Sequence, residues 1–266
     1  MIYQTIKLKD INKNITTDAT LDVYVPIPTT NGIEFSIHKP LLIIPGGGYE
    51  FVADNEGEPT AMAFAAKGFA TFVLKYSVGF YHDEYLAIKE AFAAIVFIKE
   101  NASRFNLDAS NFSVLGYSAG GHLSATLGMM HKDEMVAKLI EKDLSTLNIN
   151  NLILCYPVIT MEKNLTHEGT MLRRTLEKPE LIEKYSIEKH VDSNYPRTFI
   201  WATANDELVP VNNSIKMAES LSKHRVPFEL HVFPDGPHGL SIIVDKKYNY
   251  CKSWIDSAIK FITGEY

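Results

Sequence analysis

The stretch Phe112-Ser113-Val114-Leu115-Gly116-Tyr117-Ser118-Ala119-Gly120-Gly121-His122 constrains the fold of this chain more than any other. An apolar run breaks at Gly116, a serine follows two residues later, and small residues lead into residues 123–130, which suit a helix. The pattern predicts a strand, a sharp turn and a helix, with Ser118 at the apex. A serine at such a corner is held in a strained backbone conformation and projects its hydroxyl clear of the sheet. The positions two before and two after it come so close that side chains would collide, so Gly116 and Gly120 fit there. The N–H of Ala119 then lies at the start of the helix, where free amides and the helix dipole favour developing negative charge. A chain of this length carries G-x-S-x-G by accident roughly one time in ten. The meaning of the motif therefore rests on its strand-and-helix setting and on a base elsewhere in the chain.

Apolar runs supply the rest of a sheet. Residues 1–9 and 21–27 alternate apolar and polar, as half-buried antiparallel strands do, and residues 27–32 read as a turn. Leu41-Leu42-Ile43-Ile44 is unbroken, as a strand buried on both faces requires. Further strands are predicted over 69–76, 112–116, 151–156, 196–202 and 227–233. Helices are predicted over 58–67, stopped at Gly68, over 83–104, where Leu86, Glu90, Ala94 and Ile98 share a face, over 211–224 and over 248–262. This alternation implies an α/β fold with a mostly parallel eight-stranded sheet, helices on its flanks and right-handed crossovers. Residues from about 160 to 194, polar and irregular apart from a helix-like run from Glu180 to His190, interrupt the alternation. They are expected to form a small lid insertion over the C-terminal strand ends, within a single domain of residues 1–266.

Composition narrows the class. With 266 residues, 46% of them hydrophobic and 22% charged, the chain can bury a large core as one α/β unit. Its net charge of −6 argues against nucleic acid or an anionic membrane as the main partner. The N-terminus lacks the long apolar core of a signal peptide, so a cytoplasmic location is expected. Cys155 and Cys251 have no CxxC or His-rich spacing around them and are expected to be reduced and structural.

The second unusual feature is Pro45-Gly46-Gly47-Gly48-Tyr49, directly after the unbroken strand. Backbone without side chains can bring N–H groups against a substrate oxygen, and such a loop opens where parallel sheets bind ligands. For Ser118 to act as a nucleophile it needs a base, and histidine suits that task near pH 7. Of nine histidines, His238 lies just past a strand end in the turn-forming run Phe233-Pro234-Asp235-Gly236-Pro237-His238-Gly239. A carboxylate must hold the other ring nitrogen. Asp206 follows a predicted strand directly; Glu207 is the alternative carboxylate, and capping of the next helix is the alternative role for Asp206.

The order Ser118, Asp206, His238, each after a parallel strand, is that of the α/β-hydrolases. Nearly the whole chain resembles esterases of the hormone-sensitive-lipase-like and acetyl-xylan-esterase-like type, in particular small bacterial acetyl esterases. The resemblance runs through residues 45–49, Glu56 to Pro59, residues 74–77 and 116–122, Tyr156-Pro157-Val158, Asp206 to Pro210 and His238-Gly239-Leu240. One position departs: lipase-like relatives carry His-Gly-Gly-Gly at the glycine loop, and Pro45 here supplies neither that side chain nor a backbone N–H. The resemblance implies an α/β-hydrolase fold, with oxyanion donors at the amides of Gly47, Gly48 and Ala119.

The expected reaction is hydrolysis of short-chain carboxylic esters, acetyl esters of sugars or similar small alcohols, through a Ser118–His238–Asp206 triad and an acyl-enzyme. The expected partner is a small ester molecule, no metal or organic cofactor is expected, and a homo-oligomer is left open. Tyr49, Tyr81, Tyr117 and Tyr156 fit a pocket lining and core packing equally well; His82-Asp83 and His122 lack the companions of a metal site. Two rivals use the same scaffold: an amidase, arylformamidase or small peptidase, and a non-catalytic hydrolase-fold binding protein.

Overall fold

The computed structural model describes residues 1–27, 37–80, 83–242 and 246–265. Its strands are β1 Ile2–Lys7, β2 Thr20–Val25, β3 Pro40–Ile44, β4 Ala70–Lys75, β5 Ser113–Tyr117, β6 Asn151–Cys155, β7 Arg197–Thr203 and β8 Phe228–Phe233. The helices are α1 Glu58–Ala65, α2 Leu86–Glu100, α3 Ala102–Phe105, α4 Ser118–Met130, α5 Glu134–Leu139, α6 Glu168–Thr175, α7 Pro179–Tyr185, α8 Asn212–Lys223 and α9 Ser253–Thr263. The strands form one eight-stranded sheet in the order β1-β2-β4-β3-β5-β6-β7-β8. Only the pairings of β1 with β2 and β2 with β4 are antiparallel, as the alternating N-terminal runs predict.

Unbroken apolar strands serve two cores at once, because successive side chains point to opposite faces. Leu42 and Ile44 of β3 join Val114, Leu152 and Ile200 under α2 and α4, where Ile88, Ile95 and Leu123 meet them. Leu41 and Ile43 join Leu115, Ile153 and Trp201 on the other face, against Phe64 of α1 and Trp254 and Phe261 of α9. The strand order also locates a crevice. The chain runs outward from β3 to β4, then returns to the other side of β3 to form β5. Connections diverge at that switch point, so the loop after β3 and the turn after β5 lie side by side at the carboxyl ends of the strands.

Two predictions need correction. The helix expected over 83–104 is divided: α2 ends at Glu100 and α3 begins at Ala102. Asn101 stands between them with its side-chain amide donating to the Phe97 carbonyl (2.9 Å), a local bond that competes with the helix ladder. In the segment from about 160 to 194 the helix-like run from Glu180 to His190 forms α7 as far as Tyr185, and the segment is more regular than expected because α6 precedes it, with Met171, Arg174, Tyr185 and Ile187 buried. Between α4 and β6 the chain also forms the short helix α5. The predicted turn at 27–32 falls largely outside the described residues, as do Tyr81 and His82.

Candidate active site

The elbow forms as its residue types demand. Ser118 has φ +50, the left-handed region that a side chain tolerates only under constraint from its surroundings. That constraint comes from close packing: a methyl group on Gly116 would run into the Gly120 carbonyl and the Ser124 hydroxyl, and one on Gly120 into the carbonyl oxygens of Ile44 and Pro45. The corner between β5 and α4 is thus wedged against the end of β3. Ser118 itself is buried to 6% exposure and lines the pocket.

His238 reaches the serine from the loop after β8. Its Nδ1 lies 2.6 Å from Asp206 Oδ2, and its Nε2 lies 2.8 Å from Ser118 Oγ. With Nδ1–H donated to the carboxylate, Nε2 is left to accept from the serine hydroxyl. Asp206 is fixed by its second oxygen, which accepts the N–H groups of Leu208 and Val209 at 2.9 Å each. It therefore organises its own loop after β7 and does not cap α8; Glu207 beside it is exposed. The Asp206 side chain is fully buried and that of His238 is 13% exposed, so the line runs from the interior to the pocket. The sequence brought these residues forward one by one, and the structure brings all three within hydrogen-bond reach.

Gly47 and Gly48 have φ of +114 and +65, a path that glycine follows without strain. The Gly47 carbonyl accepts from the N–H groups of Glu50 and Phe51, while neither Gly47 nor Gly48 donates its N–H to any described residue. Ala119 is the second residue of α4, where amides have no partner inside the helix. Gly47, Gly48, Phe51, Ser118, His167 and Leu208 line a pocket of about 290 Å³.

The departure at Pro45 has a structural answer in Glu56, a residue the sequence showed only as part of a motif. Its buried carboxylate accepts the Gly46 N–H (2.7 Å) on one oxygen and the Tyr156 hydroxyl (2.8 Å) on the other. The Tyr76 hydroxyl donates to the Pro45 carbonyl (3.1 Å). Carboxylate and phenols thus hold the glycine loop from beneath. Burial raises the Glu56 pKa, opposed by the hydrogen bonds from Gly46 and Tyr156 and by the proximity of His238. Tyr156 also packs edge-on against the His238 ring, with centroids 4.9 Å apart. Tyr49, Tyr117 and Tyr156 are all buried, so their role is support and not pocket lining.

His122, four residues after Ser118, is fully buried. Its Nε2 lies 3.0 Å from the Tyr185 carbonyl and so carries the proton, which leaves Nδ1 to accept from the Tyr49 hydroxyl at 3.0 Å. Burial, reinforced by the Arg174 charge, pushes its pKa down to about 3. Arg174 in turn lies over the rings of Tyr49 (5.2 Å) and Tyr185 (4.4 Å), which ties the inserted helices to the glycine loop. Both cysteines are buried and free. Among the described residues no cluster of metal-ligating side chains occurs and no helix is long and apolar enough to cross a membrane.

A mostly parallel eight-stranded sheet with a serine elbow at its switch point defines the α/β-hydrolase class, and the kinship is with acetyl-xylan-esterase-like carboxylesterases. Residues 21–221 match the BD-FAE family, to which the chain belongs. It is 35% identical over 214 residues to endo-1,4-beta-xylanase B of Butyrivibrio fibrisolvens, covering 79% of this chain and 33% of that protein. It is 25% identical over 256 residues to the acetylxylan esterase of Xylanibacter ruminicola, covering 94% of this chain and 50% of that protein. The chain thus spans a third to a half of the length of these curated relatives. Among solved structures, the acetyl ester-xyloside bifunctional hydrolase of Caldicellulosiruptor lactoaceticus superposes with a TM-score of 0.78 at 32% identity, covering 97% of each chain.

Proposed function

We propose that this chain is a serine carboxylesterase that hydrolyses short-chain esters, acetyl esters of sugars above all, working as one domain whose inserted helices cover the site. The observation that carries the reading is the unbroken hydrogen-bond line from Asp206 through His238 to Ser118, ending beside the unengaged amides of Gly47 and Gly48. Ser118 Oγ attacks the ester carbonyl while His238 Nε2 takes its proton. Asp206 keeps the ring in the right tautomer and stabilises the imidazolium. The amides of Gly47, Gly48 and Ala119 receive the charge that develops on the carbonyl oxygen. His238 then gives the proton to the leaving alcohol, and water, activated by the same imidazole, releases the acid from the acyl-enzyme. No metal or organic cofactor enters this scheme. The names of the relatives, an acetylxylan esterase and an acetyl ester-xyloside hydrolase, support the acetyl group and the sugar alcohol.

The test is hydrolysis of p-nitrophenyl esters from acetate to octanoate, wild type beside Ser118→Ala. A rate that falls steeply beyond propionate and vanishes in the variant is expected. No turnover at any chain length by folded protein would move the reading to amide hydrolysis or to a non-catalytic binding role.

A further inference from the structure

We propose that His167 reads the alcohol half of the substrate, its Nε2–H serving as a fixed hydrogen-bond donor to a hydroxyl or ring oxygen of the sugar. This rests on the ester-hydrolase reading and adds to it a residue that selects oxygen-bearing alcohols over hydrocarbon ones.

His167 stands at the start of α6, in the insertion, and lines the pocket that holds Ser118, His238, Gly47 and Gly48. Its Nδ1 accepts the Thr170 N–H (3.2 Å) and lies 2.9 Å from the Thr170 hydroxyl. A nitrogen that accepts a backbone N–H cannot carry a proton of its own, so the neutral ring bears its hydrogen on Nε2. That Nε2 has no partner among the described residues and is not sealed from solvent, which leaves it open to the pocket. Burial, with the nearby charges of His238 and Arg173, lowers the His167 pKa, which favours the neutral ring.

The ring is also pinned in place. A methyl group on Gly48 would sit 3.0 Å from His167 Cε1, so ring and glycine loop are in contact. Arg173, on the same helix, pairs with Glu50 of the glycine loop at 2.6 Å and donates to the Gly169 carbonyl at 3.1 Å. The donor is thus preorganised by helix capping on one side and by an ion pair on the other.

The chemistry of an acetyl ester assigns what this donor meets. The acetyl half offers a methyl group, which accepts nothing, and a carbonyl oxygen, which the loop amides already serve. The remaining acceptors lie on the alcohol. A sugar supplies them beside the acetylated position; a cycloalkyl alcohol covers the N–H and leaves it unpaired, at a cost of roughly tenfold or more in kcat/KM.

The experiment compares kcat/KM on an acetylated methyl xyloside with that on cyclohexyl acetate, a ring of the same size without oxygens. His167→Asn keeps an acceptor near the Nδ1 position to cap α6 but places nothing at Nε2. The xyloside-to-cyclohexyl ratio is expected to fall roughly tenfold or more, mainly through KM on the xyloside. His167→Gln, which reaches the Nε2 position with an N–H but cannot cap, is expected to recover part of the ratio. A ratio equal to wild type in His167→Asn, or an equal loss on both esters, overturns the proposal. If wild type hydrolyses neither ester, the esterase reading has failed on its own account. Calorimetric binding of the acetylated xyloside to wild type and to His167→Asn then still decides, with equal affinity overturning it.

Discussion

Two histidines flank the start of α4, and their surroundings make them different chemical objects. His238 has a carboxylate on Nδ1 and a hydroxyl on Nε2, and part of its ring is open to the pocket. His122 has a phenol on Nδ1 and a carbonyl on Nε2, and is fully enclosed. His238 faces an anion at Nδ1; His122 has a hydroxyl donor facing its one unprotonated nitrogen and the Arg174 charge nearby. On the proposed mechanism the first ring cycles its proton, while the second joins elbow helix, glycine loop and insertion. Partners, not residue type, separate a base from a brace.

Removing either group should make the contrast measurable. Ser118→Ala or His238→Ala is expected to lower kcat on p-nitrophenyl acetate by on the order of 10⁴-fold or more, with the melting temperature little changed. His122→Phe is expected to reverse the pattern. It removes the His122 bonds to the Tyr49 hydroxyl and the Tyr185 carbonyl, at a cost of about 1–3 kcal/mol in stability, while the folded fraction loses far less rate than His238→Ala. Denaturant unfolding beside single-substrate kinetics reads both. A His122 variant as inactive per folded molecule as His238→Ala would erase the distinction.

Asp206→Asn sharpens it from the other end. The asparagine oxygen can still accept from Leu208 and Val209, which turns its NH₂ toward His238 Nδ1. That donor forces the ring proton onto Nε2, where it can no longer accept from Ser118. A loss of roughly 10³- to 10⁴-fold in kcat is expected, with the fold retained. A loss below tenfold would mean that the carboxylate only positions its loop.

Much of this arrangement was legible in the sequence. The strands could be read because they are buried on both faces and so appear as unbroken apolar runs such as residues 41–44. Ser118, Asp206 and His238 could be read because each follows a strand, and the sheet alone brings strand ends together. The supports could not. Glu56 is a carboxylate in a loop, and nothing local says that it lies under Gly46 and Tyr156. His167 gave no signal, since its value comes from a helix start inside a polar segment and from contact with Gly48, 119 residues earlier in the chain. The insertion looked irregular because α6 buries Arg174, whose charge is met by the Glu84 carbonyl and the Tyr49 ring from outside the insertion and by the Tyr185 ring from α7.

Glu56 offers a smaller effect of the same kind, since it acts on the glycine loop and through Tyr156 on His238 without meeting the substrate. Glu56→Ala removes the acceptor of the Gly46 amide and of the Tyr156 hydroxyl, which still accepts the Ser241 N–H, and is expected to lower kcat by roughly ten- to a hundredfold, with KM changing less, because only transition-state charge needs the loop in place. Glu56→Gln keeps an acceptor for Gly46 and should recover most of that loss. Equal kcat in wild type and Glu56→Ala would show that the Tyr76 bond to Pro45 suffices to hold the loop.

The gentlest test is acidity. His122 and His131 are both held neutral by burial, with pKa values pushed down from 6.5 to about 3 and about 4. Below pH 6.5 the unfolded chain binds protons that the folded one refuses. Their contribution is therefore complete above pH 6.5 and is lost as the pH falls toward 4 and then 3, at up to about 1.4 kcal/mol per pH unit for each ring. Glu56 has the opposite sign, because its raised pKa lets the folded state take up a proton first. Melting temperature followed from pH 8 to pH 4.5 should therefore decline below pH 6.5. In His131→Gln, which removes one of the two rings, the decline should be shallower. An identical slope would mean that the His131 imidazole does not contribute to the acid limit and is not sealed as the structure has it.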